Sequence, residues 1–372
     1  MRISAPIRGR AVALVAGLAV LAFAAASGPA AASGSPKAVY TSTNSPSGNA
    51  VVAFDRSGHG SLQPVGTFAT GGTGTGGGLG NQGAVTLSDD GGELYVVNAG
   101  SDQITAFDVT PHGLRRTSVV GSGGHQPVSV TVDGHLLYVL NAGSDQVTGF
   151  VIGRHGTLTP LPGSTRPLSG SGTGPAEVQF DHGGDLLAVT EKATGHIDTY
   201  TVGRDGRPSA PNVQDSAGQT PFGFAFGRRD RLIVSEAFGG APGASAVSSY
   251  DVGPFGAITP ISPSVPTGQT AACWIVVTGG GRFTYTTNTG SANISGYRIA
   301  HDGSLALLDG GVSATTGAAA TDLALSDGSR QLFALNSGSG TVGAYRVQHD
   351  GGLVPLDVAG SLPAGATGLA AS

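Results

Sequence analysis

From Lys37 onward the chain is a succession of short apolar runs separated by glycine, serine and aspartate, and no segment carries the three-to-four-residue period of an amphipathic helix. The runs have strand length and are bounded by turn residues. Two of them repeat almost letter for letter: LYVVNAGSDQITAF occupies Leu94 to Phe107, and LYVLNAGSDQVTGF occupies Leu137 to Phe150, 43 residues later. Worn copies bring the total to seven, with the runs ending at Asn44, Asn98, Asn141, Glu191, Glu236, Asn288 and Asn336, about 49 residues apart on average. An aromatic follows each anchor: Phe54, Phe107, Phe150, Tyr200, Tyr250, Tyr297 and Tyr345. Six residues after every aromatic stands a glycine: Gly60, Gly113, Gly156, Gly206, Gly256, Gly303 and Gly351.

Each unit reads as four strands: an apolar run such as PVSVTV, the run that ends on the anchor, the aromatic-bearing strand, and a short last strand such as LTPLPG after the glycine turn. Four strands in a period of 40 to 50 residues define a propeller blade. The fold class expected is therefore all-β, a seven-bladed β-propeller of four-stranded blades over residues 33–372. The first unit starts at its second strand, KAVYTSTN, while the final PAGATGLAAS (Pro363 to Ser372) matches the first strand of the last unit, GAAATDLALS. The C-terminal strand is thus expected to complete blade one and close the ring, which removes an open sheet edge.

The sequences LYVVNAGSDQITAFDV and FTYTTNTGSANISGYRI resemble the YVTN-type repeat, and the chain as a whole resembles the lactonase-like seven-bladed propellers, the family of the bacterial 6-phosphogluconolactonase and the fungal carboxymuconate cyclase. The resemblance implies a propeller with lactone hydrolysis or lactonising cyclisation as the associated chemistry. It also implies a histidine after the proline that opens certain innermost strands, assisted by Glu and Arg. The corresponding places here read Gln126-Pro127-Val128, Pro175-Ala176-Glu177 and Pro221-Phe222, without that histidine. His125, two residues before Pro127, is the available substitute.

Composition adds three constraints. Arg2, Arg8 and Arg10 precede an apolar run from Ala11 to Ala26 and the small residues Ala30 to Ala32, the pattern of a secretory signal peptide over 1–32. Its 16 apolar residues are short for a membrane span of about 20, so no membrane association is expected after its removal, and a secreted monomer is. Without the leader the formal charge goes from −5 to −8, and with no basic clusters nucleic acid is not an expected partner. The single cysteine, Cys273, excludes an internal disulfide, and its setting in AACWIVV predicts a buried thiol. The 64 glycines read as turns.

In a propeller the first strand of each blade is innermost, so strand direction assigns every loop to a face. Fourth-to-first and second-to-third connections share one face, called here the loop face; the remaining connections form the turn face. Five of the nine histidines (His59, His112, His155, His301, His349) lie at third-to-fourth turns and, with His135 and His182, on the turn face. His125 and His196 are on the loop face. The anchor asparagines read as structural, opening turns through their side chains. Two neighbouring copies break that rule with Glu191 and Glu236, and Glu177 begins blade four's innermost strand. These three glutamates with His125 are the candidate catalytic residues at the channel mouth, with Gln126, Lys192, Gln219 and Gln269 on the same face as candidate ligand-binding residues; separate hydrated rim charges are the alternative. The expected partner is a small molecule or an extracellular protein, with lactonase-like catalysis as the second reading. No metal or cofactor is expected, because no HExxH or EF-hand pattern occurs and the GxGxxG within GGTGTGGGLGNQG (Gly71 to Gly83) links strand to strand as a flexible loop between blades.

Overall fold

The computed structural model describes residues 37–372; the segment read as a signal peptide, 1–32, lies outside the described residues. Seven antiparallel sheets follow one another, each running from an inner first strand to an outer fourth strand. The inner strands of blades two to seven are Val85–Leu87, Pro127–Asp133, Pro175–Phe180, Pro221–Phe226, Ala272–Val277 and Ala320–Leu325. Blade one is made from both ends of the described chain. Thr367–Ala371 pairs with Ala38–Ser42, setting Val39 opposite Ala371 and Tyr40 opposite Ala370. Ser372 N–H donates to the Ala38 carbonyl at 3.0 Å, and Ala38 N–H donates to Ser372 Oγ at 3.0 Å. The ring is closed as the repeat at the two ends requires.

Every one of the seven recurrent glycines has a positive φ, between +65° and +110°. That conformation is strained for a residue with a Cβ. Space forbids it as well at several of these turns: a Cβ on Gly113 would stand 2.3 Å from Phe68 Cζ, and one on Gly351 would stand 2.5 Å from Phe283 Cε1. The third-to-fourth turn of each blade is packed under its neighbour, which is why the glycine recurs without exception.

The recurrent aromatics are all buried, at 5% exposure or less, and form the inter-blade core with strand residues on either side. In the last four blades the aromatic is tyrosine, and its hydroxyl adds a hydrogen bond. Tyr200 donates to the Pro167 carbonyl at 3.1 Å, Tyr297 to Val265 at 2.9 Å and Tyr345 to Thr315 at 2.8 Å, each on the outer strand of the preceding blade. Burial of each ring stabilises by roughly 1.5–3 kcal/mol, and the hydroxyl bond fixes one blade against the next. Two outer strands differ from the simple four-strand reading. Blade three's is broken into Leu158–Pro160 and Arg166–Pro167, and blade six's into Leu305–Leu307 and Ala314–Thr315, with both pieces pairing the same third strand. In blade three the break carries Pro162 followed by Gly163 at φ +76°, a turn that cannot continue a ladder. Cys273 is buried and free.

Candidate functional site in the central channel

The anchor position is inside the blade. Asn98 Nδ2 donates to Thr105 Oγ1 at 2.8 Å, and Asn288 Nδ2 to Ser295 Oγ at 2.8 Å, in each case seven residues later on the third strand. Asn141 makes the same bond to Thr148 at 3.4 Å. The glutamates that replace asparagine occupy the same interior. Both are fully buried. Glu236 accepts from Ser248 Oγ, the counterpart of those hydroxyls after the blade-five insertion, and from Ser264 Oγ at 2.5 Å. The hydroxyl rotates from accepting an amide to donating to a carboxylate, so the side-chain pattern survives with the polarity reversed. Glu191 accepts from Ser169 N–H at 2.9 Å and from the Ser169 and Thr194 hydroxyls, each at 2.5 Å. Its seventh-residue partner is Asp198, also fully buried. Burial, together with the hydrogen bond and charge of Glu191, pushes the Asp198 carboxyl up to about 8. Asp198 Oδ1 accepts no protein donor among the described residues.

The expectation that Glu191 and Glu236 open on the channel mouth is therefore corrected: donors supplied from their own blade and the adjoining loops draw both carboxylates into the blade interior. The remaining loop-face residues are dispersed. His125 is three-quarters exposed and its Nδ1 faces Asp102 Oδ2 at 2.9 Å. Gln126 is exposed, with its N–H donating to Asp102 Oδ1 at 2.7 Å. Gln219 is exposed, while Gln269 Oε1 accepts from Asn293 Nδ2 at 2.8 Å. These side chains belong to separate local networks.

The channel is stopped at this face by the end of the glycine-rich run. Gln82 N–H donates to Ala176 O in blade four at 3.0 Å, and its amide exchanges two bonds with the Ile275 backbone in blade six, at 2.7 and 3.0 Å. Asn81 Nδ2 donates to Val128 O in blade three, and Asn81 Oδ1 accepts from Thr367 Oγ1 of blade one at 3.2 Å. Trp274 Nε1 donates to Asn81 O at 2.5 Å. Lys192 donates to Gly80 O and to Pro175 O, with Nζ 4.9 Å from the centre of the Phe222 ring; burial pushes this amine down to about 8. A segment bonded to four blades at once spans the axis. Residues 79–82 are a plug, and the sequence expectation of a flexible loop between blades is corrected for that part of the run. Gly223 makes room for it, since a Cβ there would lie 2.1 Å from Gln82 Oε1.

Beneath the plug lies a cavity of about 350 Å³ lined by Gln82, Thr86, Thr131, Glu177, Gln179 and Asp322 among others. A second space of about 500 Å³ shares Gln82, Thr86, Thr131 and Gln179 and reaches Asp89, Asp133, Asp181 and His182 on the turn face. Of the glutamates proposed from sequence, Glu177 alone lines this cavity. Its Oε2 accepts from Phe224 N–H in the next inner strand at 2.7 Å, as Ser129 Oγ accepts from Val178 N–H at 3.2 Å one blade earlier. Asp322 sits at the matching third position of blade seven and accepts from Leu323 N–H at 2.8 Å and from the Leu369 backbone. Its Oδ2 is buried without a protein donor among the described residues. Burial is the main cause that raises both carboxyls well above their ordinary range, and the charge of Asp322 adds to the rise at Glu177. Two acids whose burial favours the protonated form, on the walls of a polar cavity, are suited to donate to the carbonyl or hydroxyl oxygens of a ligand. Asp322 and the two glutamines were missed in the sequence; aligning the seven inner strands puts Asp322 of ATDLAL in register with Glu177 of PAEVQF.

This ring of seven four-stranded blades, with an internal channel stopped at one end and acids on its walls, defines a seven-bladed propeller with a ligand-sized axial cavity. Residues 37–166 match the family model described as "Lactonase, 7-bladed beta-propeller". The fold is shared with a Lactobacillus plantarum protein at 20% identity and TM-score 0.73, covering 90% of this chain and 98% of that one. A Bacteroides fragilis protein provisionally named 6-phosphogluconolactonase aligns at 17% identity and TM-score 0.71, over 91% and 98%. The periplasmic gluconolactonase of Pseudomonas aeruginosa aligns at 17% identity and TM-score 0.66, over 87% and 100%. A search of curated proteins finds no significant match. The fold is that of the seven-bladed propellers, and its residues 37–166 resemble the lactonase propeller model.

Proposed function

We propose that this propeller binds a small, uncharged, oxygen-rich ring of the lactone or sugar class in the axial cavity, entering from the turn face. The observation that carries the reading is the placement of Glu177 and Asp322 on the walls of a cavity closed by residues 79–82, with Gln82, Gln179, Thr86 and Thr131 as further polar groups. Pockets of about 300–1,000 Å³ with a few convergent polar groups suit ligands of this size. The N-terminal leader pattern supports export, so the ligand would be met outside the cytoplasm, and the same reading predicts a monomer.

Hydrolysis of that ring is the second reading, favoured by the coupling of the two buried acids and by the resemblance to lactonases. One carboxylate would take a proton from water as its oxygen attacks the lactone carbonyl. The other, still protonated, would give its proton to the ring oxygen as the acyl–oxygen bond breaks. Among the described residues no histidine lines the inner cavity, so such catalysis would rest on carboxyls alone.

Calorimetric titration of a panel of five- and six-membered lactones, with turnover measured in parallel, separates the two readings. Glu177→Gln keeps an oxygen for Phe224 N–H, so folding should be retained. Binding without turnover, weakened by Glu177→Gln and Asp322→Asn, supports the binding reading. Turnover that falls about a hundredfold or more in either variant supports catalysis. A protein that neither binds nor turns over any of the panel overturns both.

A further inference from the structure

On the turn face, a groove of about 710 Å³ runs between blades five and six and adjoins, at His182, Phe226 and Val277, the 500 Å³ space that leads to the axial cavity. It is lined by Arg228, Arg229 and Arg231 from the first-to-second turn of blade five and by Arg282 from the corresponding turn of blade six, with His182 and His301 at its edges. In a chain of net charge −5 this is a concentration of positive charge. None of the four arginines forms an ion pair with a carboxylate of the described residues. The one acid of the groove is engaged elsewhere: Asp230 Oδ1 faces His182 Nδ1 at 3.0 Å and accepts the His182 N–H at 3.2 Å. Asp302, beside His301, turns its carboxylate to the Ser304 N–H at 3.0 Å and hydroxyl at 2.7 Å.

The backbone is shaped to hold the arginines together. Arg229 and Asp230 have consecutive positive φ values of +61° and +55°, a conformation that side-chain-bearing residues adopt at a cost. Opposite them Gly281 takes φ +63°, and a Cβ there would fall 2.2 Å from Arg228 Cγ, so only glycine lets Arg228 lie across the blade-six turn. Arg229 Nη2 stands 2.9 Å from His301 Nε2, and Arg231 Nη1 donates to the His301 carbonyl at 2.6 Å, anchoring two guanidinium groups. Arg231 Nε is buried without an acceptor among the described residues. Arg228 has no side-chain hydrogen-bond partner among the described residues, and Arg282, which also lines the groove, spends one Nη2 donor on His349 O at 3.0 Å with its guanidinium 5.1 Å from the centre of the Phe283 ring, so both keep N–H groups without a protein acceptor.

We propose that this groove is an oxyanion-binding site, taking a small molecule that bears phosphate or multiple carboxylate groups. Guanidinium forks recognise both chemistries through paired charge-assisted hydrogen bonds. Like charges held this close with no ion-paired carboxylate repel one another, and a multivalent anion reduces that repulsion. The groove's arginines line neither the 350 Å³ nor the 500 Å³ axial space, so the proposal rests on groups distinct from Glu177 and Asp322.

The test is calorimetric titration of the full protein at low ionic strength with pyrophosphate and, separately, with citrate. A saturable one-to-one isotherm with either probe is expected, and the probe that binds tells whether phosphate or carboxylate is the preferred source. The double variant Arg228→Ser/Arg282→Ser should weaken it by at least about a hundredfold, two lost charge-assisted contacts at roughly tenfold or more each. Arg154→Ser/Arg204→Ser makes the same charge change at other exposed turns of this face and should alter affinity by less than about threefold, the size of a screened long-range effect. Melting temperatures of both double variants check that folding is kept. Heat that does not saturate with either probe, or equal losses in the two double variants, overturns the proposal.

Discussion

Replacing Asp198 by asparagine removes a buried acid whose proton the blade interior holds. Asp198 ionises near 3.8 when free and near 8 in the folded blade, because it is buried against the Glu191 carboxylate. Between those values the folded chain binds one proton more than the unfolded chain at this site. Stability contributed here is therefore complete at low pH, falls as pH rises from about 4 to about 8, and stays low above that. From pH 5 to pH 8 the loss would reach about 4 kcal/mol at 1.36 kcal/mol per unit, and relaxation and water entry around the pair reduce it to about 2 kcal/mol. The amide introduced by Asp198→Asn would offer Glu191 a donor that does not titrate, in the place where Thr105 and Thr148 offer hydroxyls to their anchors. Urea unfolding followed by the fluorescence of Trp274, the single tryptophan, measures the parent and Asp198→Asn at pH 5, 7 and 9. The variant should gain about 2 kcal/mol relative to the parent between pH 5 and pH 9. A difference that is the same at both ends of the range would refute the shared-proton reasoning, as would a steeper parent–variant difference in a Glu191→Gln background.

Two further outcomes test the architecture. Gly113→Ala forces a Cβ onto a residue at φ +110° and against Phe68, so chemical denaturation should show a loss of about 2–4 kcal/mol, whereas Gly58→Ala, with open space and no positive φ, should change stability by less than about 1 kcal/mol. Deleting Pro363 to Ser372 removes the inner strand of blade one and bares the edge of Ala38–Ser42; calorimetry should show a melting point lower by about 10 °C or more, with aggregation on heating, and a truncated protein melting within a few degrees of the parent would contradict ring closure by that strand.

The repeat was legible in the sequence because its causes are local. Strand length, the turn glycine and the inward aromatic are each set by residues a few positions apart, so seven copies announce seven blades, and a half-copy at either end announces how they join. Glu177 was legible for the same reason, as a polar residue at a fixed place on an inner strand. The role of the anchor glutamates was not. Whether a carboxylate in place of asparagine is a functional departure depends on the donors around it, and Ser264 and Ser169 arrive from outside the run of residues that defines the anchor. The plug is a stronger case. A glycine-rich stretch has no local preference for one path, and only the closed ring supplies Ala176, Ile275, Val128 and Thr367 as simultaneous partners for Asn81 and Gln82. The pairing of Glu177 with Asp322 in one cavity, and of the blade-five arginines with Arg282 in one groove, likewise follows from blade geometry. Sequence spacing sets the structure within a blade, but the groups that meet on the axis and between blades are chosen by long-range packing, and both candidate binding sites are located there.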